Sequence, residues 1–340
     1  MNPRRPSVFA ALILLVLSLG LTACGEKSED SGGETTQPFH LTLDFYPNPD
    51  HAGIYMAQRL GYFRDAGLDV SIDTPSDPAA PIKQVAAGRT DLAISYEPEV
   101  ALANERGLDV VAVGAIVDKP LTSMIWLEKS GVKGIADLRG KTIATAGIPY
   151  QDAYLKTILA RANLSPSDVK AVNVGFGLLP AILGGRAQAM LGGFRNVEGV
   201  DLRLRGKRPV VTPVDQLGVP TYNELVLVAN RRQLEEDPEA VRLFIAALER
   251  GTSAAVKSPN ATVKALLKAN PDLDPKLTAA EVKATLPLLE SSDPAQPYGF
   301  MDPARWREFI GWMRDNAVLD SLPAPSQLLS NDYLPGEIPE

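Results

Sequence analysis

From residue 39 to residue 230 the chain alternates short apolar runs with amphipathic stretches, and it does so in two successive sets. That pattern narrows the fold more than any other feature. In the first set, 39–45, 68–72, 91–95 and 110–114 read as strands. Helical signals separate them. Ile54, Ala57 and Leu60 form a stripe ending at Gly61, 81–87 is closed by Gly88, and 97–106 has Pro98 in its first turn and Gly107 beyond its last. Asp50 reads as the N-cap of the first helix. After Thr122 the pattern restarts, with strands over 124–127, 142–145, 169–174 and 187–191 and helices over 153–162 and 179–184. One more strand, 224–230, leads into an almost wholly helical region: 238–257, 260–269, 278–290 and 302–316. The tail past Leu322 is rich in Pro and Ser and is expected to wrap loosely. Two βα sets followed by helices predict two α/β lobes joined by crossing strands.

The N-terminus follows a different logic. Arg4 and Arg5 precede an apolar run over 8–21, and small residues then lead to Cys24, the single cysteine among 340 residues. That order makes residues 1–23 a secretory signal, since the run is short for a membrane span. The ending Leu21-Thr22-Ala23-Cys24 resembles the bacterial lipobox, which implies lipidation of Cys24 after cleavage. An uncleaved anchor, or an incidental cysteine behind an ordinary signal, is the alternative. Residues 24–37 are small, polar and charged, the composition of a flexible tether. Acyl chains would hold the folded body on the extracytoplasmic side of the cell membrane.

Charge and residue counts exclude several functions. A formal net charge of −7 without a basic stripe argues against a nucleic-acid partner. One cysteine gives no disulfide framework or thiolate site. Two histidines, His40 and His51, lack metal-binding spacing, so neither a metal nor another cofactor is expected. The Gly-x-Gly at 175–177 lacks the third glycine of a dinucleotide fingerprint.

Ligands of open α/β sheets sit beyond the carboxyl ends of the strands. Attention therefore falls on the loops 45–53, 95–99, 145–152 and 192–198. In the first, Tyr46, Asn48 and His51 are candidate ligand contacts stiffened by Pro47 and Pro49; the alternative is a capped turn in which Asn48 bonds its own backbone and Phe45 enters the core. In the second, Tyr96 and Glu97 offer a ring and a carboxylate to a planar nitrogenous ligand. A satisfied helix start accounts for that pair equally well, and the helix dipole suffices for Glu99. The other lobe offers Tyr150, Phe194, Asn196 and Glu198; Gly192 and Gly193 either bare the backbone there or merely permit a tight turn. Tyr222 enters the strand leading back to the first lobe and is placed near the hinge. Trp306, Phe309, Ile310 and Met313, at helical spacing, are core.

The run L-D-F-Y-P-N-P-D-H-A-G-I-Y-M-A at 43–57 resembles the opening of solute-binding proteins that feed thiamine-pyrimidine precursors to ABC transporters, the NMT1/THI5-like family. The segments G-Y-F-R-D-A-G-L-D-V at 61–70, G-R-T-D-L-A-I-S-Y-E-P-E-V at 88–100, G-I-A-D-L-R-G-K-T-I-A at 134–144 and Y-G-F-M-D-P-A-R-W at 298–306 are similar to the same group. The resemblance implies a type II periplasmic-binding fold, with lobe 1 over 38–122 and 226–330 and lobe 2 over 123–225. It also implies a monomeric binding component that performs no catalysis. Its partners would be a small heterocyclic ligand and the permease and ATPase subunits of an importer.

The segment at 134–141 is shared with nitrate-, sulfonate- and taurine-type binders, which keeps an anion ligand as an alternative. The rival class is hydroxymethylpyrimidine phosphate synthase, an enzyme that is similar around His51. It requires a lysine where this chain has Tyr96, and a cysteine-rich iron segment that is absent here. Bacterial pyrimidine binders carry aromatic residues at the positions of Ala146 and Gly192. The smaller residues here imply a roomier pocket, which a riboflavin-type ligand would suit.

Overall fold

A computed structural model describes residues 36–290, 293 and 295–336; Cys24 and the expected signal segment lie outside the described residues. The strands are β1 (Gln37–Thr42), β2 (Leu68–Asp73), β3 (Leu92–Ser95), β4 (Val110–Val117), β5 (Thr122–Leu127), β6 (Thr142–Thr145), β7 (Lys170–Asn173), β8 (Ala189–Phe194), β9 (Pro209–Pro213) and β10 (Leu225–Asn230). The helices of the first half are α1 (Ala52–Leu60), α2 (Tyr62–Asp65), α3 (Ala80–Ala86), α4 (Glu97–Glu105), α5 (Gln151–Ala160), α6 (Leu178–Leu183) and α7 (Glu198–Leu204). Those of the second half are α8 (Arg231–Glu236), α9 (Pro238–Lys257), α10 (Pro259–Ala269), α11 (Pro275–Thr285) and α12 (Pro303–Asp315).

Two five-stranded sheets result, in the orders β2-β1-β3-β10-β4 and β7-β6-β8-β5-β9. β10 is antiparallel to both neighbours in the first sheet, and β5 is antiparallel to both of its own in the second. Each is the strand through which the chain has just crossed from the other sheet. The chain therefore passes between lobes twice, from β4 to β5 and from β9 to β10. The remaining pairs are parallel, so β1, β3, β6, β7 and β8 send the loops that follow them towards the space between the sheets.

Local chemistry explains most boundaries. α9 and α12 begin where Asp237 and Asp302 accept the N–H groups of Ala240 and Ala304 and a proline takes the first turn. β4 and β10 are buried at every residue, as their unbroken apolar runs require. α1 packs on α9 at a glycine crossing, where a Cβ on Gly251 would stand 2.2 Å from the carbonyl oxygen of Gly53. That approach fixes the helix following the 43–51 loop.

Several expectations change. Asp50 does not cap α1: the cap position is His51, which makes no side-chain cap bond, while Asn48 caps the short turn Pro49–His51 in which Asp50 lies buried. β1 begins at Gln37, expected in the tether, and stops at Thr42. Pro38 is tolerated because β3 reaches β1 only at Leu41 and Thr42, leaving no ladder bond on that side for the missing N–H. β9 has prolines at both ends and survives as a sheet edge. As far as residue 336 the tail packs on the body and does not wrap loosely: Ala112 of β4 pairs with Leu329, and Leu328 and Leu329 are buried. It covers an edge that would otherwise expose unpaired backbone. Trp306, Phe309, Ile310 and Met313 are fully buried, as expected.

Candidate functional site

Between the sheets lies a cleft of about 530 Å³, its mouth included. Its wall combines rings (Phe45, Tyr96, Tyr150, Phe176, Phe194), two carboxyl groups (Asp44, Glu198), two amides (Asn48, Gln151) and the hydroxyl of Thr122. Among the described residues, no lysine, arginine or histidine belongs to that wall.

The first lobe's side is built around Asp44. Asn48 Oδ1 accepts from Asp50 N at 2.8 Å and turns the chain back towards the strand end. The turn brings His51 under the loop, where its Nδ1 accepts from Asn48 N at 3.3 Å. The imidazole proton therefore sits on Nε2 and is donated to Asp44 Oδ1 at 2.8 Å. Asp44 Oδ2 accepts from the Tyr96 hydroxyl at 3.0 Å. Both carboxylate oxygens thus hold a donor, and Tyr96 is pinned with its ring on the cleft wall.

On the second lobe, Glu198 opens α7 and its Oε2 accepts from Phe194 N at 2.7 Å. Burial pushes its pKa up to about 7, against the pull of that N–H. The group can therefore accept or donate near neutral pH. Rings meet across the cleft: Phe45 stands edge-on to Phe176 at 4.7 Å between centroids, and Tyr96 faces Tyr150 at 6.1 Å.

Of the ten residues singled out in the sequence, Asn48, Tyr96, Tyr150, Phe194 and Glu198 line the cleft. Tyr46 sits on the rim, 51% exposed, against Phe45 and Phe176. His51 is fully buried behind Asp44. Glu97 is buried at the crossing, where its Oε2 accepts from Asn223 N at 2.7 Å; burial raises its pKa to about 8. Tyr222 is buried beside Glu224, 3.2 Å from each carboxylate oxygen. Asn196 ties the lobes together, its Nδ2 donating to Asp50 Oδ1 at 2.7 Å and to Thr285 Oγ1 at 2.8 Å.

Phe45, which the capped-turn reading places in the core, is on the cleft wall. Phe176, Gln151, Thr122 and Asp44 are wall residues that sequence reasoning did not single out. Phe176 carried a usable signal, because it lies between Gly175 and Gly177 just beyond a strand. The space expected over Gly192 is taken by the Gln151 amide, whose Nε2 would be 2.6 Å from a Cβ there.

The sequence profile described as NMT1/THI5 like matches residues 48–262. A formylaminopyrimidine-binding protein of Halalkalibacterium halodurans is 35% identical over 306 residues, 89% of this chain and 92% of that protein. A 4-amino-5-hydroxymethyl-2-methylpyrimidine phosphate synthase of Saccharomyces cerevisiae, THI13, is 24% identical over 316 residues, 90% of each chain. Among solved structures, the alkanesulfonate-binding protein SsuA of Xanthomonas axonopodis pv. citri, bound to MOPS, superposes with a TM-score of 0.68 at 15% identity, over 86% of this chain and 98% of that one. That likeness gives the fold, the two-lobed periplasmic-binding arrangement of type II. By its profile and its 35% identity to a full-length relative, the chain belongs to the NMT1/THI5-like family.

Proposed function

We propose that this protein is the solute-binding component of an ABC importer and that its ligand is a flat amino-heterocycle of the thiamine-pyrimidine type. The carrying observation is a cleft walled by rings and two carboxyl groups with no cationic side chain. Tyr96, Tyr150, Phe176 and Phe194 would cover the ligand's faces, each good ring contact adding about 0.5–1.5 kcal/mol beyond burial. Glu198 would take an exocyclic amino group, and Asn48 would hydrogen-bond another polar edge. A ligand lacking a matching group leaves a buried partner unpaired, at about 1–3 kcal/mol.

An anion such as a sulfonate or nitrate fits this wall poorly. No cationic side chain among the described residues lines it, and the helix starts at α4 and α5 already carry Glu97, Glu99 and Asp152 in their first turns. The enzyme reading is weaker for a similar reason: no wall residue is a lysine able to form an imine, and His51 is enclosed behind Asp44. Binding would bias the lobes towards the closed form, which a permease then recognises. Cys24 would carry the lipid that keeps the body on the outer membrane face, near that permease.

Calorimetric titration tests the reading. Saturable binding is expected for formylaminopyrimidine and 4-amino-5-hydroxymethyl-2-methylpyrimidine, with none for MOPS, taurine or nitrate. Binding confined to the anions would reverse the assignment.

A further inference from the structure

Gln151 opens α5 and is only 3% exposed, yet just half of its amide is used within the protein. Its Oε1 accepts from Ala146 N at 3.0 Å, closing the loop 146–151 on itself. Its Nε2 has no hydrogen-bond partner among the described residues and stands over Gly192. Gly192 has φ +110°, a conformation that side chains rarely adopt, so backbone and space together keep that wall bare. Ala146, Gln151 and Gly192 all line the cleft. The two small residues therefore work with the amide: one supplies the N–H that fixes its oxygen, the other leaves room for its nitrogen.

That nitrogen is open to the cleft and not sealed in the wall, so an acceptor atom of a bound ligand can reach it. Glu198, on the same lobe, offers a carboxyl group that can receive a donor. The second lobe thus presents a fixed donor as well as an acceptor.

We propose that Gln151 is a specificity-determining residue whose Nε2 donates to an acceptor atom of the ligand, a carbonyl oxygen or an unprotonated ring nitrogen. It selects heterocycles that carry such an atom against those that offer only donors or C–H at that edge. This rests on the functional reading above. Gln151→Glu is the informative substitution, because it keeps the shape and keeps an oxygen for Ala146 N while replacing the donor by an acceptor.

Titration of formylaminopyrimidine into wild type and Q151E, at pH 9 and pH 5.5, separates the possibilities. At pH 9 the variant is expected to bind about 10- to 100-fold more weakly than wild type. At pH 5.5 the ratio narrows severalfold, because the protonated carboxyl again donates. Binding within twofold of wild type at both pH values would overturn the proposal. So would a loss that is equal at both, which would mark Gln151 as a loop brace only. If Q151E fails to fold, Gln151→Met serves, and an affinity within twofold of wild type overturns the proposal. Wild type that binds no formylaminopyrimidine brings down the functional reading and this assignment together, an outcome distinct from a variant that matches a binding wild type.

Discussion

Two of the places where the lobes meet are built to different standards. At the crossing, Glu224 collects Leu121 N at 2.6 Å, Thr122 N at 2.7 Å, Thr122 Oγ1 at 2.8 Å and the Tyr222 hydroxyl at 3.2 Å. Asn223 adds its N–H to Glu97 and receives Trp306 Nε1 at 2.7 Å on its Oδ1. Glu97 Oε1 and Asn223 Nδ2 lack partners, but the segment is held redundantly by several elements. At the far side one amide, Asn196, carries the polar link, and both its own Oδ1 and Asp50 Oδ2 are buried without a partner. Opening would return those two atoms to water. The difference suits the proposed closure, with one side held in several ways and the other by a single link that opening would break.

The largest test of that contrast is Glu224→Ala, which strands buried donors on both crossing segments. Chemical denaturation should show a loss of about 3–5 kcal/mol, and a loss below about 1 kcal/mol would break the comparison.

Glu97 sharpens it through pH. Its folded pKa of about 8 lies above the ordinary 4.5, so the folded state binds the proton more tightly. The resulting penalty is absent below pH 4.5, grows as pH rises and is complete above about 8. Melting curves from pH 5 to pH 9 should fall for wild type, and Glu97→Gln should fall less, by about a few kcal/mol over that range.

Asn196→Ala should leave global stability within about 1 kcal/mol and weaken formylaminopyrimidine binding about three- to tenfold, because only the closed form loses bonds. A stability loss comparable to that of Glu224→Ala would contradict the contrast. Tyr46→Ala should matter least, changing affinity less than about threefold, since the ring is on the rim and half in water.

The same division governs what the sequence allowed to be read. Continuous apolar strands such as β4 and proline-led helices such as α9 announce themselves, because their signals are local. The four loops expected to carry the site do contribute wall residues, since parallel strands must point their carboxyl ends one way. Which side chain faces the cleft was not legible. His51 turns inward to meet Asp44, and Asn196 reaches Asp50, 146 residues away in the chain. Glu97 looked like a ligand group and instead holds a segment 126 residues further on. Such choices are made by tertiary partners that no local pattern encodes. The strand β9 has no counterpart in the sequence reading: prolines stand at both of its ends, and only an edge position permits them.

In the proposed function a hinged clamp shuts on a planar amino-heterocycle and leaves it chemically intact. Solution X-ray scattering on the mature protein, with and without saturating formylaminopyrimidine and followed by mass spectrometry of the recovered ligand, tests it most directly. A smaller radius of gyration with ligand and the recovery of unaltered formylaminopyrimidine are expected. An unchanged radius at saturation, or a converted product, would contradict it.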